Sequence, residues 1–236
     1  MKNFKVVILA GGFGTRLMEE TKIKPKPLVK IGPYPIIQHI INHYSYYGLR
    51  NFVICLGYKG NHIKNYFKKS KNNKHNKIQL IDTGLNSLTG ERLRRVQSIV
   101  GDQFFLTYGD GVSDIDIKKT FKVFKKSKKI GLVTAINPEA RYGILNIKND
   151  IVENFAEKPD RDNIWINGGF FIFDKKIFKY LKGKNPILER KPLETLAKSK
   201  QLISYKHKGF WKCMDTLRDK VDLNKIWKKN KYKWKR

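Results

Sequence analysis

Apolar positions along the chain fall into short blocks of two kinds. Continuous apolar runs at 4–10 (FKVVILA), 51–57 (NFVICLG), 77–82 (KIQLID) and 103–111 (QFFLTYGDG) predict strands. Between them, 35–48, 62–69, 89–100 and 117–126 carry their apolar residues at helical spacing. The first of these helices is expected to open with Pro35 in its first turn and to stop at Gly48, and Thr89 is expected to cap the third. Regular alternation of this kind predicts a largely parallel sheet covered by helices on both faces.

After residue 126 the rhythm changes. Segments 130–136, 142–147, 151–158 and 165–173 read as strands joined by short turns, an antiparallel extension, and helices follow at about 175–181, 192–199 and 216–229. No linker rich in Ser, Gly or Pro separates the halves, and no repeat is visible. The expectation is one α/β domain over residues 1–236, with a central mixed, mainly parallel sheet flanked by helices and a small antiparallel extension.

A chain of 236 residues with 40 % hydrophobic content can bury a sizeable core, which excludes global disorder. It contains no apolar run long enough to span a membrane, and its first apolar run ends in glycines and reads as a strand, not a leader. A cytoplasmic protein without a membrane partner is expected. Cys55 and Cys213 are too few for a disulfide framework. His39 and His43 have metal-ligand spacing but lack the accompanying glutamate, and they lie off the apolar face of their helix, so they are read as a solvated pair. The formal charge of +30 comes mainly from Lys, which outnumbers Arg about four to one and is spread over the whole chain. That distribution predicts a solvated surface and no specific nucleic-acid partner. The densest basic stretches, 68–77 and 228–236, read as a loop and a frayed end.

The glycine cluster at 11–14, closed by Thr15 and Arg16, follows the first strand directly. Such loops cradle phosphate through bare backbone N–H groups. The dinucleotide pattern GxGxxG fails at Leu17, and no Lys follows early enough for a P-loop, so another kind of phosphate or base holder is expected. Ligands of open parallel sheets bind beyond the strand C-termini, so this loop and the YGDG turn at 108–111 should face one crevice. Asp110 suits Mg²⁺, and equally suits a turn bonded to its own backbone. Lys24 and Lys26, alternating with prolines in an extended segment, could hold phosphate with little loss of entropy. Asp215 could cap the final helix or complete a metal site.

ILAGGFGTRL, KPKPLV, FLTYGDGV, EKP, INGGFFIF and KCMDTLRDK, in collinear order from about residue 4 to about 229, resemble the sugar-1-phosphate nucleotidyltransferases. The stretch DTG…S.TG.RL.RV at 82–96, with TYGDGV and MDTLRDK, is similar to their cytidylyltransferase branch. The resemblance implies a single Rossmann-like domain with a nucleotide-binding half over about 1–126 and a sugar-phosphate-binding half over about 127–236. It implies that Leu9, Ala10, Gly11, Gly12, Phe13, Gly14, Thr15 and Arg16 hold CTP, with Lys26 on its phosphates and Ser87, Arg92 and Gly109 assisting. Asp110 and Asp215 would ligate Mg²⁺. Lys158 would meet the sugar phosphate, and Asn167 and Gly143 would line the sugar pocket.

The implied reaction is Mg²⁺-assisted in-line transfer of CMP to a sugar 1-phosphate, glucose 1-phosphate above all, with Arg16, Lys26 and the two aspartates as the catalytic groups. A different phosphorylated acceptor, or UTP or dTTP as donor, are the alternatives; a non-catalytic nucleotide or polyanion binder is disfavoured by the presence of both aspartates. Compared with the family, residues 68–77 stand where a segment about twenty residues longer is expected. A homo-oligomer is expected.

Overall fold

The computed structural model describes residues 1, 3–70, 72–138, 143–157, 164–230, 232 and 234. Its first half runs β1 (Lys5–Leu9), α1 (Met18–Thr21), β2 (Lys30–Ile31), β3 (Tyr34–Pro35), α2 (Ile36–Tyr46), β4 (Asn51–Leu56) and α3 (Gly60–Lys69). It continues through β5 (Lys77–Asp82), α4 (Thr89–Arg94), β6 (Gln103–Tyr108), β7 (Gly111–Ser113) and α5 (Ile117–Ser127). The second half holds β8 (Gly131–Ile136), the hairpin β9 (Ile144–Lys148) and β10 (Ile151–Ala156), and β11 (Ile166–Asp174). A 3-10 stretch (Lys175–Tyr180), α6 (Lys191–Lys198), β12 (Leu202–His207), β13 (Trp211–Cys213) and α7 (Leu217–Lys228) complete it.

Seven strands form one sheet in the order β12-β8-β11-β6-β1-β4-β5. β1 lies parallel between β4 and β6, and β5 continues in the same sense. β11 enters antiparallel between β6 and β8, and β12 then lies parallel to β8. The two sequence halves therefore share one sheet, as the mixed architecture requires. β1 is apolar throughout its centre because both its faces are covered. Val6 and Ile8 enter the core on one side with Ile37, Ile41 and Tyr44 of α2, while Val7 and Leu9 enter the other with Leu93 and Leu196. Each such side chain contributes about 1.5–3 kcal/mol of transfer free energy.

Several local expectations are corrected. β12 was not anticipated. It is an edge strand paired on one side only, and its alternation is diluted by Ser204 and Lys206. Pro35 precedes α2 in an extended conformation instead of sitting in its first turn. α4 ends at Arg94, beyond which i→i−3 bonds such as Gln97 N to Arg94 O tighten the chain. Leu88, not Thr89, occupies the position before α4, because the Thr89 hydroxyl is committed to Glu189 and to the Leu188 N–H. The 175–181 segment is 3-10, with Asp174 capping it through the Lys176 N–H.

His39 and His43 are buried, not solvated. His39 Nε2 lies 2.9 Å from the Ile31 carbonyl and its Nδ1 accepts from Trp234. The C-terminal stretch that reads as frayed supplies that tryptophan. Trp234 is 2 % exposed and stacks on Phe210, while Tyr232 stacks on Trp227. Asn73 and Asn76, in the basic loop, are bonded to Gln38 and Ser45 of α2.

Candidate active site

β1 and β6 end side by side, with Leu9 opposite Tyr108, and Gly109 N donates to Leu9 O at 3.0 Å. The glycine loop and the Gly109–Asp110 turn consequently open into the same cleft of about 580 Å³. Leu9, Ala10, Gly11, Gly12, Phe13, Gly14, Thr15, Arg16 and Lys26 line one part of it, and Ser87, Arg92, Gly109, Asp110 and Asn167 line the remainder. The loop's shape has two local causes. Gly14 has φ of 67°, a left-handed conformation that favours glycine. At Gly11 a Cβ would lie 2.2 Å from Arg92 Nη1, so no larger residue fits beside that guanidinium.

Arg92 is 3 % exposed and donates to Leu56 O, Thr83 Oγ1, Gly84 O, Gly11 O and Leu85 O at 2.8–3.1 Å. It ties the glycine loop to the end of β4 and to the turn after β5. Burial pulls its pKa below the ordinary value, with the carboxylate of Asp82 opposing.

The charged centre lies at the cleft's edge. Lys26 Nζ is 2.6 Å from Asp110 Oδ2 and 2.6 Å from Asp215 Oδ1, and Arg16 Nη1 is 2.7 Å from Asp215 Oδ2. Burial works to lower the Lys26 pKa, but the charges and hydrogen bonds of both aspartates outweigh it and raise it. Burial likewise acts to raise Asp215, and Lys26 and then Arg16 overcome it, holding the carboxyl below the usual aspartate range. Cys213, whose thiol donates to Asp215 Oδ2, is pushed up to about 12 by burial and the neighbouring carboxylates.

A small ribbon brings the two aspartates together. β7 pairs antiparallel with β13, Cys213 opposite Gly111, and Met214 N donates to Asp110 O at 2.9 Å. Asp110 and Asp215 flank that ribbon on one end. The Asp110 carboxylate contacts Lys26, and α7 is capped by Thr216 in a capping box with Asp219, so Asp215 is not the cap and its carboxylate pairs with Lys26 and Arg16. Pro25 is extended as expected, but Lys26 itself starts a 3-10 turn, and Lys24 pairs with Glu20 instead of entering the cleft.

Gly143 lies beside Phe155 and Glu157 on the β9–β10 hairpin and is not among the residues lining the cleft. Lys158 falls outside the described residues. Tyr108, Thr89 and Glu189, to which the sequence assigns no ligand-binding role, also line the cleft. Tyr108 is recoverable as the last residue of a strand that ends at the crevice; Glu189, before α6, carries no local signal at all. Outside the cleft, Ser113 Oγ and Asp114 Oδ1 both approach the same His207 nitrogen, at 3.2 and 3.0 Å. A nucleophile relay needs the two partners on different ring nitrogens, so this trio is structural.

Asp110 and Asp215 converge on one cationic atom, so a hard divalent ion suits the same position. Its preference for carboxylate, phosphate and water oxygens matches two carboxylates beside a phosphate-type loop. Among the described residues there is no cluster of three or more His, Cys, Asp or Glu suited to a metal.

Glucose-1-phosphate cytidylyltransferases of Salmonella typhimurium and Salmonella typhi are each 44 % identical to the chain over 253 aligned positions, covering 98 % of both partners. HddC from Yersinia pseudotuberculosis superposes with a TM-score of 0.75 at 24 % identity, over 95 % of this chain and 99 % of that one. An apo UDP-glucose pyrophosphorylase gives 0.74 at 19 %, over 97 % and 99 %. Those two likenesses concern the fold alone. No helix among the described residues is long and apolar enough to cross a membrane. With the nucleotidyl transferase model matching residues 5–226, the chain belongs to the nucleotidyl transferase family.

Proposed function

We propose that the protein transfers CMP from CTP to glucose 1-phosphate, giving CDP-glucose and pyrophosphate. The observation that carries this reading is the 44 % identity, over nearly the full length of both chains, to enzymes named glucose-1-phosphate cytidylyltransferase. A phosphate oxygen of the sugar substrate attacks the α-phosphorus of CTP, the new P–O bond forms, and the bond to the β-phosphate breaks in line with it. The chemistry needs no side-chain nucleophile.

Both reactants are polyanions. Two like charges about 4 Å apart repel by about 4 kcal/mol at an effective dielectric constant of about 20, so neutralisation at close quarters decides the rate. Nucleotidyl transferases typically use a divalent cation. In this reading it is Mg²⁺, held by Asp110 and Asp215. When bound, the ion neutralises phosphate charge and orients the α-phosphate for displacement. Lys26 and Arg16 add fixed positive charge, and the N–H groups of residues 11–15 receive the triphosphate. Ser87 and Gly109 border the nucleotide, and Arg92 serves it by holding the loop. Lys158 meets the sugar phosphate, with Asn167 on the sugar side. Residues 1–126 are thus the nucleotide half and 127–236 the sugar-phosphate half of a cytoplasmic homo-oligomer.

The test is pyrophosphate release with CTP, UTP, dTTP and GTP, each crossed with glucose 1-phosphate and other hexose 1-phosphates. CTP with glucose 1-phosphate is expected to give the highest kcat/KM. A better rate with another nucleotide, or with another acceptor, reassigns the substrate.

A further inference from the structure

Glu189 is the one carboxylate lining the cleft that takes no part in the Lys26–Asp110–Asp215 cluster. Its position is set by a loop stapled across the mouth of α4. Leu88 N donates to Asn185 Oδ1, Asn185 Nδ2 donates to Asn86 O, and Glu91 N donates to Pro186 O. The carboxylate is then oriented by two neutral hydroxyls. Thr89 donates to Oε2 and Tyr108 donates to Oε1, each at 2.5 Å. Asn167 Nδ2 donates in turn to the Tyr108 hydroxyl at 3.1 Å, and Asn167 Oδ1 accepts from Gly169 N. Glu189 makes no ion pair among the described residues.

An ionised carboxylate offers about four acceptor sites, and these contacts use one on each oxygen. The acceptors left over face a cleft built for anions, where a further negative charge raises the cost of every phosphate. Such a group fits a neutral partner rich in hydroxyl donors. We propose that Glu189 is a substrate-binding, specificity-determining residue: the acceptor for hydroxyl groups of the hexose, held in place by Tyr108 and Thr89. This rests on the reading of the cleft as a nucleotidyl-transfer site for a hexose 1-phosphate. The same carboxylate disfavours acceptors that are themselves acidic at the sugar ring, such as a uronic acid 1-phosphate.

The experiment compares wild type with Glu189→Gln, using glucose 1-phosphate, its mono-deoxy analogues and glucuronic acid 1-phosphate, with CTP as donor. A hydrogen bond to a charged group predicts a fall in kcat/KM for glucose 1-phosphate of at least about tenfold. The KM for CTP should stay within about twofold. At least one mono-deoxy analogue should be used equally by wild type and variant, which identifies the hydroxyl concerned, and glucuronic acid 1-phosphate should gain relative to glucose 1-phosphate. Equal losses with glucose 1-phosphate and every analogue, or a change confined to the KM for CTP, overturn the assignment. Should Glu189→Gln fail to fold, Glu189→Asp keeps the charge but withdraws it, and the same pattern across analogues is required. A wild-type protein inactive with CTP and all hexose 1-phosphates overturns the functional reading, and this inference falls with it.

Discussion

Lys26 and Asp215, 189 residues apart in sequence, meet with Nζ 2.6 Å from Oδ1. The contact joins the segment after the glycine loop to the residue before the final helix, so the charge of the loop region depends on the far end of the chain. Lys26→Ala and Arg16→Ala are expected to lower kcat and kcat/KM together, as the proposed role of both groups beside the departing pyrophosphate requires. Steady-state kinetics checks this; a higher KM for CTP at unchanged kcat would restrict them to ground-state binding.

Asp110→Asn and Asp215→Asn should each reduce turnover on the order of a hundredfold or more with the fold retained, since each leaves phosphate charge without its counterion. Pyrophosphate release at saturating Mg²⁺, read beside circular dichroism, measures both halves of that statement. Near-normal rates for either variant would remove that carboxylate from the site.

The depressed carboxyl of Asp215 fixes the sign of a pH effect. A group held below its ordinary value of 3.8 contributes stability that is fully present above that value and is lost as pH falls through its lower folded value. The difference in Tm between wild type and Asp215→Asn should therefore be widest above about pH 4 and close in stronger acid. Thermal unfolding across that range decides it, and a gap that widened on acidification would reverse the assignment.

Arg92→Met removes the guanidinium that bonds four carbonyls and the Thr83 hydroxyl; the Leu56 and Gly11 carbonyls keep the N–H groups of Thr83 and Tyr58, and what is lost is the tie between the glycine loop and the turn after β5. A destabilisation of about 3 kcal/mol or more is expected in denaturant unfolding, accompanied by weaker CTP binding. Gly11→Ala should be damaging in the wild type and milder in the Arg92→Met background, because the atom its Cβ meets at 2.2 Å has gone. Strict additivity of the two changes would mean that they do not act through one another.

Lys158→Ala should raise the KM for glucose 1-phosphate strongly and the KM for CTP much less, because it would remove a compact charge from the sugar phosphate alone. Asn167→Ala, which releases the Tyr108 hydroxyl from one of its bonds, should chiefly relax selection among hexose 1-phosphates. Substrate panels distinguish the two; equal effects on both KM values would move the sugar side elsewhere.

The parallel core was legible because burial on both faces leaves a run such as VVIL with no polar interruption. The position of the YGDG turn followed from the rule that parallel strands present their C-termini to one crevice. Asp215 was different. Spacing left it between cap and metal site, and only the resemblance favoured the latter, because three-residue strands such as β7 and β13 are too short to carry a period. Edge strand β12 was lost for a related reason, since a strand paired on one side needs little hydrophobicity. Trp227, Tyr232 and Trp234 were masked by the lysines around them, although Trp234 stacks on Phe210 and Tyr232 on Trp227. Glu189 could not be found locally, because its meaning comes from Tyr108 and Thr89, which lie about eighty to a hundred residues earlier.

The ribbon that sets Asp215 beside Asp110 also imposes an order of events on the ribosome. A growing chain carries the glycine loop, Lys26 and Asp110 long before Asp215 is translated. It lacks the opposing carboxylate until Trp211–Cys213 has emerged and paired with Gly111–Ser113. By then β8, β11 and β12 have already been made. The acidic partner that Lys26 and Arg16 share therefore reaches them only after the strands of the second half have been made.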